Sequence, residues 1–317
     1  MSEPKPCCGP VRPVSSDTNR DERIDIASLG GMLSAQHDMV RLTESRFAMG
    51  CDDVISYPSD GEGPVHDVQI GEFEIGACAI SNDDFAAFVD HSGFVTDAER
   101  FGWSFVFGGL LPDDFEDTAA VAAAPWWRQV FASDWRHPEG PQSDVDGRGD
   151  HPVIHVTHAD AVAFCTWADV RLPTEAEWEY ASRGGLDQKL FPWGDDLVPD
   201  DRHRMNVWQG SFPAENTADD GYVGTAAVAT FEPNGFGLYN MCGNVWEWCS
   251  DWFDPTYYER SELTNPQGPD EGEMVVMRGG SYLCHESYCR RYRVAARSGN
   301  TVDSSAGNIG FRVARSI

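Results

Sequence analysis

Glycine, proline and tryptophan recur along the whole chain in short motifs, and they interrupt almost every stretch that would otherwise form a long helix or strand. The 317 residues include 31 Gly, 19 Pro and 11 Trp, and only a few segments show helical or alternating periodicity. This pattern predicts an α+β fold, a single loop-rich domain with low regular secondary structure that aromatic packing holds together. A hydrophobic content of 41% is enough for a well-buried core at this length.

The regular elements that can be predicted lie mainly in the first part of the domain. Alternating apolar residues predict four strands, at 39–42, 46–50, 65–70 and 73–75. Capping residues followed by helical spacing predict three helices, which start at Ser81, His158 and Thr174.

The first 36 residues differ in composition from the rest of the chain. They are rich in Pro, Ser, Asp and Arg and show little periodicity, so we predict a flexible N-terminal tail over 1–36 and one folded domain over 37–317. The tail contains Cys7 and Cys8, but adjacent side chains point apart in an extended chain and give little indication of a joint role.

Charge and cysteine content limit the partners and the compartment. The chain carries 52 acidic and 23 basic residues, a formal net charge of -29, which disfavours nucleic acid and anionic membrane surfaces because both require a basic face. The N-terminus has no apolar signal region and no apolar run approaches the length of a membrane span, so a cytoplasmic location is expected. Nine cysteines, an odd number, are too sparse for a disulfide scaffold and are expected to be mostly reduced.

Two cysteines near the C-terminus, Cys284 and Cys289, lie five positions apart in a run of Gly, Ser, Tyr and His. Side chains at this spacing share no face of a strand or helix, so the sulfurs can act together only if a loop brings them close. Positive charge favours the thiolate, which is the form that attacks, binds soft metals and is oxidised. Five arginines flank the pair: Arg278, Arg290, Arg291, Arg293 and Arg297. The alternative is two unrelated small side chains buried in a loop.

Residues 101–149 form a long, irregular, tryptophan-bearing segment, and a segment of this length in a compact protein predicts a functional role such as the wall of a peptide cleft. Three histidines follow, His151, His155 and His158. Two histidines four residues apart could bind iron or zinc. However, Pro152 and the β-branched residues around it favour a strand that enters a helix, where the histidines have structural roles.

Several motifs occur in a characteristic order along the chain. Upstream of the cysteines lie RLPTEAEWEYA at 171–181, FPWG at 191–194, NVWQG at 206–210, NGFGLYN at 234–240 and GNVWEW at 243–248. The cysteine segment itself continues through short motifs at 292–297, 300–301, 303–308 and 310–312. Over roughly residues 38–317 the chain resembles the formylglycine-generating enzymes, the sulfatase-modifying oxidases. The resemblance implies their C-type-lectin-like fold and a catalytic domain over 37–317.

The resemblance implies that a cysteine within a Cys-x-Pro-x-Arg motif of an unfolded sulfatase segment is oxidised to Cα-formylglycine, with consumption of oxygen and a thiol reductant. The chain has no dinucleotide fingerprint and no haem-attachment motif, so the cysteine pair must supply the redox chemistry. Two thiolates suit Cu(I), and we predict Cys284 and Cys289 as copper ligands with Ser281 near the oxygen and substrate pocket. A transient disulfide between Cys289 and the substrate is an alternative route.

Four residues are predicted to contribute to substrate binding. Tyr288 and Trp246 are expected to line the pocket, although either could be an ordinary core aromatic. Arg297 and Asn308 are expected to position the substrate and the loop.

The resemblance also implies two structural calcium sites built from carboxylate, amide and carbonyl oxygens. The ligands expected for calcium site 1 are Asn206, the Val207 carbonyl, Asp220 and the Tyr222 carbonyl. The ligands expected for calcium site 2 are Asn240, the Gly243 and Val245 carbonyls and Glu247. The alternative is that these Asn and Asp side chains only cap turns.

Secreted members of the resembled family have structural disulfides that end where this chain has Val294 and Val313. This departure supports a bacterial, cytosolic type and leaves Cys165 without the partner that it would otherwise have.

Two other classes of function stay open. One is a noncatalytic paralogue that binds sulfatases, against which the cysteine pair argues. The other is a metal-free thiol-disulfide oxidoreductase, although its usual spacing is C-x-x-C.

Overall fold

The computed structural model describes residues 9–12 and 37–317, and short elements alternate with long irregular segments throughout this part of the chain. The helices are α1 Asn82–Ser92, α2 Asp97–Phe101, α3 His158–Trp167 and α4 Glu175–Arg183. The strands are β1 Met39–Leu42, β2 Ser45–Met49, β3 His66–Ile70, β4 Phe73–Gly76, β5 Trp103–Phe107, β6 Ala120–Val121, β7 Ala124–Phe131, β8 Gly210–Ser211, β9 Glu215–Asn216, β10 Trp246–Trp252, β11 Val275–Arg278, β12 Arg297–Asn300, β13 Ile309–Phe311 and β14 Ala314–Ser316.

The four α-helices in the described part of the chain all start with the same reciprocal cap. In each case a Ser or Thr side chain accepts a hydrogen bond from the N–H three residues later, and the Asp or Glu at that position accepts one from the cap backbone. The predicted helices at 81, 158 and 174 are confirmed as α1, α3 and α4. Helix α2 was not predicted, because five residues are too few to display a helical repeat.

The sheet that positions the candidate site has the strand order β12-β11-β10-β13. Strand β10 pairs antiparallel with β11 and parallel with β13, so that Trp246 lies opposite Ile309. Strands β11 and β12 are antiparallel neighbours, and the segment that joins them carries both cysteines of interest. The four predicted N-terminal strands are confirmed as β1 to β4.

Aromatic side chains fill much of the core, as the composition predicts. Phe85 of α1 meets Phe88 edge-on at 5.4 Å between ring centroids and stacks on Phe164 of α3 at 6.0 Å. Phe311 of β13 meets Phe164 edge-on at 5.4 Å, so the helices pack on the sheet through rings. The predicted loop-rich α+β domain is confirmed.

Residues 9–12 dock on the domain although they fall within the predicted flexible tail, and Arg12 is only 3% exposed. This difference arises because the docking uses individual side-chain contacts that leave no periodic pattern in the sequence. Cys7, Cys8 and the rest of the predicted tail lie outside the described residues. Among the residues that the structure describes, no helix is both long and apolar enough to cross a membrane.

Candidate active site

The segment 279–296 leaves the sheet at the end of β11 and returns at the start of β12; we call it the cysteine loop. Its first two residues, Gly279 and Gly280, have φ angles of 94° and 74°, a backbone region that side chains other than glycine rarely adopt. A Cβ at position 280 would lie 2.9 Å from the carbonyl oxygen of Arg291. The two glycines therefore allow the loop to fold back on itself.

Ion pairs close the two ends of the cysteine loop. Arg278 and Arg297 lie opposite each other in the β11–β12 register, and both donate to the Glu175 carboxylate, at 2.8 Å and 2.7 Å. Arg278 also donates to Glu179 at 2.6 Å. All four side chains are buried, and removing one partner of such a network typically costs about 3–5 kcal/mol because a buried charge is left uncompensated.

The two sulfurs are adjacent inside the cysteine loop. Cys284 Sγ and Cys289 Sγ are 3.3 Å apart, and the residues are 2% and 0% exposed. Two turns bring them together: Cys284 N donates to the Ser281 carbonyl at 2.9 Å, and Cys289 N donates to the His285 carbonyl at 2.8 Å. The separation exceeds the bond length of about 2.05 Å in a disulfide. The structure therefore places an unbridged thiol pair in the buried part of the cysteine loop.

Ser281 and Asn308 adjoin the pair. Ser281 N lies 3.4 Å from Cys284 Sγ, and Asn308 Nδ2 donates to Ser281 Oγ at 3.0 Å. Asn308 is placed by the sheet, because its carbonyl accepts a hydrogen bond from Trp246 N at 2.8 Å where β13 meets β10. Polar groups thus lie on the Cys284 side of the thiol pair.

A guanidinium lies on the Cys289 side. Arg291 Nη1 is 3.8 Å from Cys289 Sγ, and Asp60 holds the same guanidinium through contacts of 2.5 Å and 3.1 Å. The Tyr57 ring covers it, with its centroid 4.2 Å from the guanidinium carbon. Arg291 was among the arginines expected to favour thiolate. Its partners were missed, because they lie more than 200 positions upstream and carry no local signal.

An aromatic wall flanks the exposed part of the cysteine loop. Tyr288 stacks on Phe212 with 3.9 Å between centroids, and Trp126 meets Tyr288 edge-on at 5.7 Å. Trp126 belongs to the segment predicted to form a cleft wall, and a cavity of about 390 Å³ lies beside it. That cavity is lined in part by Glu116, Asp117 and Arg128, and Arg128 pairs with Asp117.

Trp246 and Arg297 occupy different positions from the other predicted substrate residues. Trp246 is fully buried at the start of β10. Arg297 is also fully buried, and its guanidinium contacts Glu175 and the carbonyls of Gly61 and Asp254. These contacts hold the cysteine loop in place, and the buried position of Arg297 does not support direct contact with a substrate.

The residues predicted for calcium site 1 include an oxygen without a donor. Asn206 Oδ1 is buried and has no hydrogen-bond partner among the described residues. Asp220 accepts from Val207 N at 3.0 Å and from Tyr222 N at 2.9 Å, and burial raises the pKa of this carboxyl. No Lys or Arg of the described chain pairs with it. A buried oxygen and an uncompensated carboxylate are what a hard cation requires.

Calcium site 2 fits a cation less well. Asn240 Oδ1 is buried without a partner in the described part of the chain. However, Glu247 already accepts from Arg312 at 2.6 Å and 2.8 Å, and from Trp178 Nε1 at 2.7 Å. Gly243, with a φ of 77°, approaches Asn206 so closely that its Cβ would lie 2.5 Å from the Asn206 carbonyl oxygen. The two predicted sites therefore adjoin.

The three histidines have protein partners. His155 contacts Ser104 Oγ and the Pro138 carbonyl, both at 2.8 Å, and burial lowers its pKa to about 4. His151 contacts Thr225 Oγ1, and His158 contacts the Cys249 carbonyl. The predicted strand at this point is replaced by irregular backbone with a single bridge at Pro152. No cluster of three or more His, Cys, Asp or Glu suited to a metal occurs among the described residues.

Comparison with known proteins gives a consistent family. Residues 32–317 match the family described as sulfatase-modifying factor enzyme 1-like domain. The chain is 56% identical to the formylglycine-generating enzyme of Streptomyces coelicolor over 276 residues, which covers 87% of this chain and 88% of that protein. It is 54% identical to the Bos taurus formylglycine-generating enzyme, with coverages of 90% and 76%. A Bos taurus protein named inactive C-alpha-formylglycine-generating enzyme 2 is 41% identical, with coverages of 87% and 87%.

Solved structures support the same fold. PvdO from Pseudomonas aeruginosa superposes with a TM-score of 0.64 at 25% identity, covering 88% of this chain and 94% of that one. CarF superposes with a TM-score of 0.51 at 19% identity, covering 89% and 98%, a likeness of fold alone. On the strength of the family match over 32–317 and the relatives above half identity, this chain belongs to the sulfatase-modifying factor enzyme family.

Proposed function

We propose that the protein oxidises the cysteine of a Cys-x-Pro-x-Arg motif in sulfatases to Cα-formylglycine, using oxygen and a thiol reductant, with Cu(I) held by Cys284 and Cys289. The observation that carries the proposal is the thiol pair itself. Two buried sulfurs lie 3.3 Å apart on a loop that ion pairs close at both ends. Two relatives that are 56% and 54% identical to this chain are named formylglycine-generating enzymes.

The donor set fits Cu(I) better than other metals. Thiolates are soft ligands, and Cu(I) accepts few of them, whereas structural zinc normally takes four ligands. The described chain offers the thiol pair and no third His, Cys, Asp or Glu in a metal-binding cluster. When bound, Cu(I) would supply one-electron chemistry toward oxygen. A low ligand count from the protein leaves room for the sulfur of a substrate.

The protein groups around the pair have separable tasks. Ser281 N points at Cys284 Sγ and can stabilise negative charge on that sulfur, while Asn308 fixes the Ser281 hydroxyl. The guanidinium of Arg291 offsets negative charge near Cys289. Burial of both sulfurs excludes bulk water, which strengthens these interactions.

The substrate segment would lie along the aromatic wall. Tyr288, Phe212 and Trp126 present ring surfaces next to the exposed part of the cysteine loop, and rings are suited to apolar side chains that flank the substrate cysteine. An extended, unfolded peptide can follow such a wall without displacing regular structure.

Calcium is proposed as a structural ion at site 1 and at the adjoining site 2, with the ligands named above.

We also propose a bacterial cytoplasmic location. None of the seven cysteines in the described part of the chain is disulfide-bonded, and Val294 and Val313 are both fully buried. Buried valines thus stand at the positions where secreted relatives are expected to have disulfide-bonded cysteines.

The test is anaerobic loading of the full chain with Cu(I), followed by mass spectrometry of a Cys-x-Pro-x-Arg peptide before and after oxygen is admitted. Loss of sulfur with gain of an aldehyde only after oxygen supports the proposal. Turnover without metal and without oxygen would indicate a thiol-disulfide oxidoreductase instead. Peptide binding without any turnover would indicate a noncatalytic sulfatase-binding protein. The control is Cys165→Ala, which removes a buried thiol that lies outside the cysteine loop.

A further inference from the structure

Residues 9–12 place an arginine in a fitted pocket on the domain. The Arg12 backbone N–H donates to Ser304 Oγ at 2.7 Å, and Arg12 Nη2 donates to the Trp103 carbonyl at 3.1 Å. The guanidinium carbon lies 3.8 Å from the centroid of the Trp103 ring and 4.1 Å from that of Phe101. The pocket therefore recognises a guanidinium by its planar faces and its donors.

Arg12 differs from the buried arginines that hold the fold. Each of those has a carboxylate partner. Arg278 and Arg297 pair with Glu175, Arg293 pairs with Glu62, and Arg312 pairs with Glu247. No carboxylate of the described residues lies within ion-pair distance of Arg12. Burial lowers its pKa to about 10, and the more distant carboxylates of Asp303, Asp97 and Asp160 act in the opposite direction. The Arg12 side chain can thus leave its pocket without stranding a buried partner charge.

The sequence around Arg12 repeats the motif of the proposed substrate. Residues 8–12 read Cys-Gly-Pro-Val-Arg, which fits Cys-x-Pro-x-Arg. Of the motif positions, the structure describes Pro10 and Arg12, and both are buried, whereas Val11 at a variable position is 41% exposed. The cysteine of this copy, Cys8, lies outside the described residues. Burial of the specified positions and exposure of Val11 is the pattern of a recognised peptide.

The other end of the segment lies close to elements of the active site. The Pro10 carbonyl accepts a hydrogen bond from Asn300 Nδ2 at 3.4 Å. Gly9 approaches Ile309 so closely that a Cβ would lie 3.0 Å from Ile309 Cδ1. The neighbour of Ile309 is Asn308, which holds Ser281 beside the thiol pair.

We propose that residues 9–12 occupy, in cis, the site that receives the Pro-x-Arg part of a substrate peptide, so that the chain's own N-terminal segment competes with substrate. This inference rests on the proposed function, because that function supplies the motif. Competition in cis lowers the fraction of molecules able to bind a peptide and raises the apparent Kd by the same factor. The segment would therefore act as a built-in competitor.

The experiment uses the full chain and a fluorescent peptide in which serine replaces the cysteine of a Cys-x-Pro-x-Arg sequence, so that binding is measured without turnover. Arg12→Ala should bind this peptide about tenfold more tightly than the wild type, because the pocket is vacated. Val11→Ala is the matched control and should leave the affinity unchanged, since Val11 faces solvent. A probe peptide with alanine in place of its arginine should show no gain in Arg12→Ala.

A second measurement supplies the motif in trans. A peptide copy of residues 6–13 with serine at position 8 should displace the fluorescent peptide from Arg12→Ala. Equal probe affinity in the wild type and Arg12→Ala, or failure of the copy to displace the probe, would overturn the inference and leave residues 9–12 as a structural strap. Turnover of a cysteine peptide by the same wild-type sample shows that the proposed function stands in that case. Absence of both turnover and binding would remove the proposed function as well.

Discussion

The cysteine loop and the loops between Asn206 and Glu247 are both irregular, but they satisfy their buried charges in different ways. Four of the five arginines around the cysteine pair each meet a carboxylate from a distant part of the chain, namely Arg278, Arg291, Arg293 and Arg297. The loops around Asp220, by contrast, contain a carboxylate without a Lys or Arg partner and buried amide oxygens without donors among the residues that the structure describes. The first region is therefore held by the protein itself, whereas the second has the composition of a region completed by a cation.

The largest expected effect concerns turnover in the cysteine loop. Cys284→Ala or Cys289→Ala should reduce turnover of a Cys-x-Pro-x-Arg peptide by about a thousandfold or more, because the two sulfurs act as one unit. The measurement is peptide oxidation by mass spectrometry together with thermal unfolding. Cys165→Ala should retain turnover. Unimpaired oxidation in either loop variant would refute the assignment of the thiol pair.

The next effect tests whether ion pairs hold the flank of the cysteine loop. Glu62 accepts from Arg293 at 2.8 Å and 2.7 Å, and both residues are buried. Glu62→Gln should lower the free energy of unfolding by about 3–5 kcal/mol and the Tm by roughly 5 to 10 °C. Asp67→Asn is the matched control, because its pair with Arg46 is exposed and should contribute less than about 1 kcal/mol. Equal small effects in both variants would contradict the comparison.

Removal of calcium should destabilise the protein by a smaller amount. A ligand present at a hundred times its Kd contributes about 2.7 kcal/mol to folding, because it binds only the native state. A calcium chelator should therefore lower the Tm of the wild type, and calorimetry with elemental analysis of the isolated protein checks this. An unchanged midpoint in protein that contains no calcium would show that the Asn206 to Glu247 loops need no ion.

The smallest effect separates the two calcium sites. Asp220→Asn keeps the shape of the side chain but removes the only carboxylate expected at site 1, and it should weaken calcium binding about tenfold, or 1.4 kcal/mol. Asn240→Ala at site 2 should have a smaller effect, since Arg312 already neutralises the carboxylate of that site. Isothermal titration of calcium into chelator-treated protein measures both. The reverse order of effects would mean that Arg312 does not compete with the ion.

The sequence was informative where signals are local. Caps predicted α1, α3 and α4, and spacing with composition singled out Cys284 and Cys289, which the structure brings within 3.3 Å. Contacts across long sequence separations were not predictable. Asp60 and Phe212 reach the site from distant segments. Asp60 has no neighbouring motif, and the NVWQG motif at 206–210, just before Phe212, does not indicate the contact of Phe212 with Tyr288. The docking of residues 9–12 was also missed, because four residues have no periodicity to read.

The shared carboxylate of Glu175 has a mechanical consequence. It binds the arginines at the strand ends on either side of the cysteine loop, so the loop is closed and held at its base. Glu286 and Ser287 are the exposed residues of the loop near the sulfurs, and they lie at its tip between Cys284 and Cys289. Substitutions at this tip can alter which molecules approach the sulfurs, while the ion pairs at the base of the loop keep the two sulfurs close together. The Glu175 carboxylate therefore allows the residues at the tip of the loop to vary while the two sulfurs keep their positions.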